Sequence, residues 1–233
     1  MCRALHTRAL SECARSQDAQ SELVSYYTLW LHQIKTPIAA LRLMLEADEL
    51  DSAAVSRSLL SIERYTSMAL EYARLRSCEN DLMIELVAVE PLVRQCVRRY
   101  ADEFIGKHLS LSLSPLSLHA HTDEKWLAFI LDQLLSNAVK YTHVGGVQIY
   151  ERDGAILIED TGVGIRPEDL PFVFDFGYTG LNGRLDKRAS GVGLFMARRA
   201  ASLIGAQITL ESTLGAGTRA TLRLPQGPSI VAR

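Results

Sequence analysis

The 233-residue chain is poor in cysteine, and its four cysteines, Cys2, Cys13, Cys78 and Cys96, stand far apart without a CxxC pair. This spacing gives no structural zinc site and no disulfide framework, and it reads as free thiols in a reducing cytoplasm. No uninterrupted apolar run approaches the roughly 20 residues needed to cross a bilayer, and the N-terminus lacks the apolar stretch of a secretory signal. As it stands, the chain therefore reads as soluble. Its formal net charge of −2 supplies no basic face for DNA or RNA, so nucleic acid is not expected as a partner. A GK[ST] P-loop is also missing. The triplet Asp175-Phe176-Gly177 stands without the HRD loop that accompanies it in serine, threonine and tyrosine kinases, so it does not make this chain one of them.

What is present is an ordinary globular composition, 48% hydrophobic and 22% charged, enough to bury a core. Residues 1–20, with Arg3, Arg8 and Arg15 against Glu12 and Asp18, have weak apolar periodicity and read as a linker or helix lead-in. From residue 21 apolar side chains recur at Leu23, Tyr27, Trp30, Ile34, Ile38, Leu41 and Leu45, the spacing of an amphipathic helix. A second series, Val55, Leu59, Ile62, Thr66, Ala69 and Tyr72, follows the break EADELD. One helical hairpin cannot cover both its apolar stripes. Residues 21–80 are therefore expected to pair with a second copy as a four-helix bundle, which makes the protein a homodimer.

After Asn80 the texture changes, and residues 81–227 read as a second domain followed by a tail at 228–233. LMIELVAV and LSLSLSPL look like strands around a helix over 90–105 with Pro91 in its first turn. Asp123-Glu124 opens a helix through Lys140. VQIYER and AILIED flank Asp153-Gly154, a hairpin signal, and Gly191 to Ile204 reads as helix before two closing strands. Strands with helices on one side predict an α/β two-layer sandwich, so the whole chain is α+β.

Four constellations carry chemistry. In WLHQIKTPIAAL, His32 and Thr36 share a helix face away from the apolar stripe, and Pro37 disturbs the carbonyl of Gln33 beside the histidine. In DQLLSNAVKYT, Gln133, Asn137, Lys140 and Tyr141 place amide, ammonium and ring within reach of one ligand. An amide oxygen suits magnesium and a lysine suits phosphate, although a polar helix face has the same pattern. EDTGVGI, with Asp160, Gly162 and Gly164, follows an apolar strand. SGVGL, with Ser190, Gly191, Gly193 and Leu194, opens a helix where backbone donors can approach a phosphate. Taken singly, each GxG reads equally well as a turn.

In this order and spacing the four resemble the sensor histidine kinases of bacterial two-component systems, over roughly residues 21 to 225. They correspond to a histidine box on a dimerising hairpin, then the N, G1, F and G2 boxes of a Bergerat-type ATP-binding domain. The resemblance implies that His32 accepts the γ-phosphoryl group of ATP and that Asn137 holds Mg2+. It further implies that Gln133, Lys140 and Tyr141 contact the nucleotide and that Asp160 accepts the adenine amino hydrogen. Gly162, Gly164, Ser190, Gly191, Gly193 and Leu194 would shape the pocket and its lid. FVFDFGYTG falls at the F box, so Phe172, Phe174 and Phe176 would support the lid and Asp175 would not bind magnesium. The implied partner is the receiver domain of a response regulator, and the implied setting is the cytoplasmic region of a membrane-anchored sensor. HQIKTP resembles the antibiotic-responsive, short-sensor subgroup.

Two departures matter. Gln33 stands where many members carry a carboxylate base, and an amide cannot take a proton. Thr36 fits the residue that positions water for dephosphorylating the regulator, which implies possible phosphatase activity. Gln133 stands where the family usually has Asn and where hydrolytic relatives of the fold carry a water-activating Glu, which counts against simple hydrolysis. A nucleotide-binding sensor or scaffold with weak kinase activity is the alternative reading. His119 and His121 alternate as strand neighbours would, without a third ligand in range, and His6, His108 and His143 read as surface residues.

Overall fold

The computed structural model describes residues 27–28, 30–31, 33–47, 51–77, 82–180 and 191–225. His32, Ser190, the whole of the linker expected over 1–20 and the whole of the tail expected over 228–233 lie outside the described residues. The chain divides into two compact units, Met1–Arg74 and Leu75–Arg233.

The first unit is helical. Residues 33–46 form α1, and Ser52–Ser77 form α2. Trp30 is 3% exposed, and its ring meets Tyr65 of α2 edge-on at 6.0 Å between centroids. Pro37, not Ile38, shares the buried face with Trp30: Pro37 is buried, while Ile38 is 48% exposed. At about 100° per residue, a seven-residue step returns close to the same face and an eight-residue step overshoots it. Ser58, Ser61 and Thr66 turn their hydroxyls back onto the carbonyls of Ala54, Arg57 and Ile62, which satisfies them within α2.

The second unit is the expected two-layer sandwich. Strands β1 (Ile84–Ala88) and β3 (His119–Asp123) pair antiparallel as a separate ribbon. The main sheet has the order β2-β4-β5-β7-β6, built from Ser110–Leu113, Gly146–Arg152, Ala155–Asp160, Gly217–Arg223 and Gln207–Thr213. Among the described residues only the β2–β4 pairing is parallel. Asp153 and Gly154 both have positive φ, 52° and 69°, the primed turn that matches the strand twist. The helices among the described residues of this unit are α3 (Val89–Arg99), α4 (Ala101–Gly106), α5 (Glu124–Tyr141) and α6 (Gly193–Leu203).

The helix expected over 90–105 is two helices. At Tyr100 the backbone reaches φ −101° and ψ 8°, and its N–H donates to Val97 O, three residues back, so the chain tightens and starts afresh. α4 ends in a Schellman turn. His108 takes φ 54°, its N–H donates to Ile105 O, and Leu109 N–H donates to Phe104 O, with Phe104 and Leu109 both buried.

α5 is the central helix. Leu127, Ile130, Leu131, Leu135 and Val139 are fully buried, and Ile149, Ile156, Leu222, Met196 and Ile204 meet the same core from the sheet and α6. Its start is fixed by Asp123, whose Oδ1 accepts from Lys125 N (3.0 Å) and Trp126 N (3.1 Å). Asp123 Oδ2 accepts from Met83 N at 3.0 Å, so one carboxylate joins the start of α5 to the lead into β1.

Candidate active site

The polar residues of the N-box sequence lie on the last turns of α5. Gln133 is buried at 5% exposure, and Asn137, Lys140 and Tyr141 are half-buried. Lys140 Nζ sits 5.0 Å from the centre of the Tyr141 ring, a cation–π pair that keeps the ammonium at the helix end. Where α5 stops, the first glycine box begins to pack against it. Val163 N donates to Tyr141 O at 3.1 Å, and a Cβ on Gly162 would lie 2.5 Å from the same carbonyl oxygen. A side chain there would push the loop off the helix.

Asp160 closes β5 and is buried at 8% exposure. Its Oδ1 accepts from Gly162 N at 2.8 Å and from Thr218 N at 3.3 Å, which fixes the carboxylate plane. Burial pushes its pKa above the usual carboxylate range, against the opposing effect of those two backbone donors. The result is a buried, oriented acceptor. Gly164 has φ +68° and packs on the Thr213 carbonyl, and Gly215 N donates to Val163 O at 2.8 Å. The glycine box is thus clamped between the end of α5 and the β6–β7 turn.

The second glycine box reaches the same place from the other side. A Cβ on Gly193 would lie 2.7 Å from Gln133 Oε1, so the start of α6 sits directly on the glutamine of α5. Gly191, with φ +66°, accepts at its carbonyl from Gly177 N at 3.0 Å, which ties the start of the second glycine box to the F-box stretch. Leu194 is half-buried in the first turn of α6. In the F-box stretch, Phe176 meets Phe195 at 5.2 Å, and Arg198 lies over Phe174 at 5.1 Å and 4.0 Å from exposed Asp175.

The structure therefore brings Gln133, Tyr141, Asp160, Gly162 and Gly193 to one end of the sheet. In the helical unit Gln33 is half-buried and Thr36 exposed. An amide oxygen at Asn137 with phosphate oxygens and water is a donor set that fits magnesium, which takes few protein ligands.

Several supporting residues escaped sequence reasoning. Thr218 fixes Asp160 through its N–H, and Thr161 Oγ1 accepts from Gly146 N at 3.0 Å. Asp169 is buried and accepts from Tyr178 Oη and, at 3.1 Å, from Arg166 Nε. Lys107 Nζ donates to the carbonyls of Val139 (2.6 Å), Lys140 (3.2 Å) and Thr142 (3.3 Å). The Arg166–Asp169 pair has an i,i+3 signal, whereas the others depend on distant partners.

Residues 122–228 match the family described as histidine kinase-, DNA gyrase B- and HSP90-like ATPases. The chain is 33% identical over 204 residues to the sensor protein BceS of Bacillus subtilis, covering 84% of this chain and 60% of that relative. It is 31% identical over 222 residues to the sensor histidine kinase YxdK of the same organism, covering 92% of this chain and 67% of YxdK. The histidine kinase AdeS of Acinetobacter baumannii has the same fold, with a TM-score of 0.59 at 21% identity over 83% of this chain and 97% of that one.

Proposed function

The chain belongs to the bacterial sensor histidine kinases, and we propose that it autophosphorylates His32 from MgATP and passes the phosphoryl group to an aspartate of a response regulator. The observation that carries this reading is the convergence of the α5 polar turns, Asp160 with its glycine box, and Gly193 on one end of one sheet. Residues 81–227 act as the ATP-binding domain. Residues 21–80 act as the dimerising, phospho-accepting domain.

In this scheme Asp160 accepts the adenine amino hydrogen through the oxygen that the backbone leaves to a ligand. Tyr141 and Lys140 contact base and phosphates, Gln133 backs the second glycine box, and Asn137 carries magnesium. When bound, the metal neutralises phosphate charge. The resemblance assigns a lid to residues 181–190, Ser190 among them, which lie outside the described residues, and the Gly177–Gly191 hydrogen bond joins the described chain on either side of them. The chemistry is positioning and electrostatic stabilisation. A neutral imidazole nitrogen of His32 attacks the γ-phosphorus, the bond to the ADP oxygen breaks, and the imidazolium gives its proton to solvent. Gln33 supplies no base, so the imidazole lone pair attacks without that help. Thr36 is exposed on its helix face, where it could position water to dephosphorylate the regulator.

No helix among the described residues is long and apolar enough to cross a membrane. The chain spans 60% of the length of BceS. The full sensor in our reading is membrane-anchored, homodimeric and of the antibiotic-responsive, short-sensor type, with this region on the cytoplasmic side.

Incubation with γ-labelled ATP and magnesium tests the scheme. Wild type should take up acid-labile, base-stable label, and His32→Gln and Asn137→Asp should not. Undiminished label on His32→Gln would overturn the acceptor. Saturable nucleotide binding without label would favour a nucleotide-binding scaffold.

A further inference from the structure

We propose that Lys107 is a positioning residue of the nucleotide site, which neutralises the carboxyl end of α5 where an anionic nucleotide must approach. The inference rests on the nucleotide-binding reading above. It starts from the four carbonyls at the end of α5 that have no partner within the helix. Ala138 O accepts from Thr142 N (3.1 Å) and Thr142 Oγ1 (2.7 Å), and Tyr141 O accepts from Val163 N. The remaining two, Val139 O and Lys140 O, both accept from the Lys107 ammonium, which also reaches Thr142 O just past the helix end.

The electrostatics give this arrangement its purpose. Phosphates ordinarily bind at helix N-termini, where N–H groups and the positive end of the dipole face the anion. Asn137, Lys140 and Tyr141 instead lie on the last turns of α5, beside roughly half a negative charge. A triphosphate brought there meets an unfavourable field unless a cation offsets it. Lys107 sets a full positive charge directly on the carbonyls that generate that field. The root of its side chain is fixed, because Lys107 is the C-cap of α4 and is followed by the left-handed turn at His108. Deleting the charge should therefore weaken nucleotides more as their phosphate charge rises.

Calorimetric titration of the full chain with MgATP and MgADP, alongside thermal unfolding, tests this on Lys107→Met, Lys107→Gln and Lys107→Arg. Lys107→Met should bind MgATP about three- to thirtyfold more weakly, with a smaller loss for MgADP, and Lys107→Arg should recover to within about twofold. Unchanged MgATP affinity in Lys107→Met overturns the proposal, as does an equal loss for both nucleotides without rescue by arginine. Should Lys107→Met fail to fold, Lys107→Gln against Lys107→Arg decides, since both donate hydrogen bonds and only arginine carries charge; equal affinities overturn it. Wild type without saturable MgATP binding would sink the nucleotide reading itself, whereas wild-type binding with an indifferent Lys107 leaves that reading standing.

Discussion

The two units of the chain bury their apolar residues to very different degrees. In the sandwich, Leu127, Ile130, Val139 and Ile156 are fully buried in the core between the main sheet and the helices. In the helical unit, Leu43, Leu45, Leu60 and Leu70 are each more than 60% exposed. A sheet covered by helices closes its own core, because both layers contribute an apolar face. Two helices leave stripes facing outward, and an exposed run of leucines on a hairpin is the surface that a second hairpin would cover. The sandwich closes its own core, and the hairpin leaves these leucines uncovered.

The largest expected effect sharpens this contrast on the sandwich side. Leu127→Ala should cost about 3–5 kcal/mol, since it opens a cavity in a fully packed layer, and urea unfolding followed by tryptophan fluorescence would measure it. Leu60→Ala in the hairpin, measured as an isolated monomer, should cost less than about 1 kcal/mol. A comparable loss at both positions would remove the distinction.

Association is the next test. If the proposed dimer forms through this surface, Leu43→Asp with Leu60→Asp should give monomer in sedimentation while leaving MgATP binding intact, and loss of both would show that the units do not separate in this way. Asp123→Ala comes next, at about 1–2 kcal/mol, because the substitution removes an N-cap and leaves Met83 N without its acceptor.

Asp160 and its neighbour Glu159 predict opposite pH responses within one strand. Burial raises the Asp160 pKa, so the folded state binds that proton more tightly than the unfolded state. Its contribution is present below the ordinary aspartate pKa and is lost as pH rises through the raised value. Asp160→Asn should therefore hold or raise the thermal midpoint near neutral pH while nucleotide binding falls, a trade of stability for function. Glu159 is held below the usual range, first by its hydrogen bond to Arg219, and its contribution is present above the ordinary glutamate pKa and fades on acidification. The residue is partly exposed, so the effect is small and salt-dependent. The smallest change expected is at His108, where glycine relieves the left-handed φ and should gain about 0.5–1 kcal/mol in thermal unfolding.

Much of the fold was legible because its signals are local. Period 3.6 marks α1 and α2, Asp153-Gly154 marks the β4–β5 turn, and Asp123 marks the start of α5. The break at Tyr100 was not legible, since nothing in RRYADEF forbids one continuous helix. Nor was the partition of α1, where a proline proved the better match to Trp30 than the isoleucine beside it.

For the site, the sequence by itself determined the chemistry on offer: an amide and a lysine on one helix end, a carboxylate after an apolar strand, and glycines where a backbone must approach closely. Those properties belong to residue types and short spacings. Only the tertiary structure decided that Gly193 rests on Gln133, that Val163 reaches Tyr141, and that Lys107 reaches the end of α5 from 32 residues away. Each of these contacts joins elements distant along the chain. They depend on how the helices lie across the sheet, which the packing of the shared core settles and no local spacing can specify.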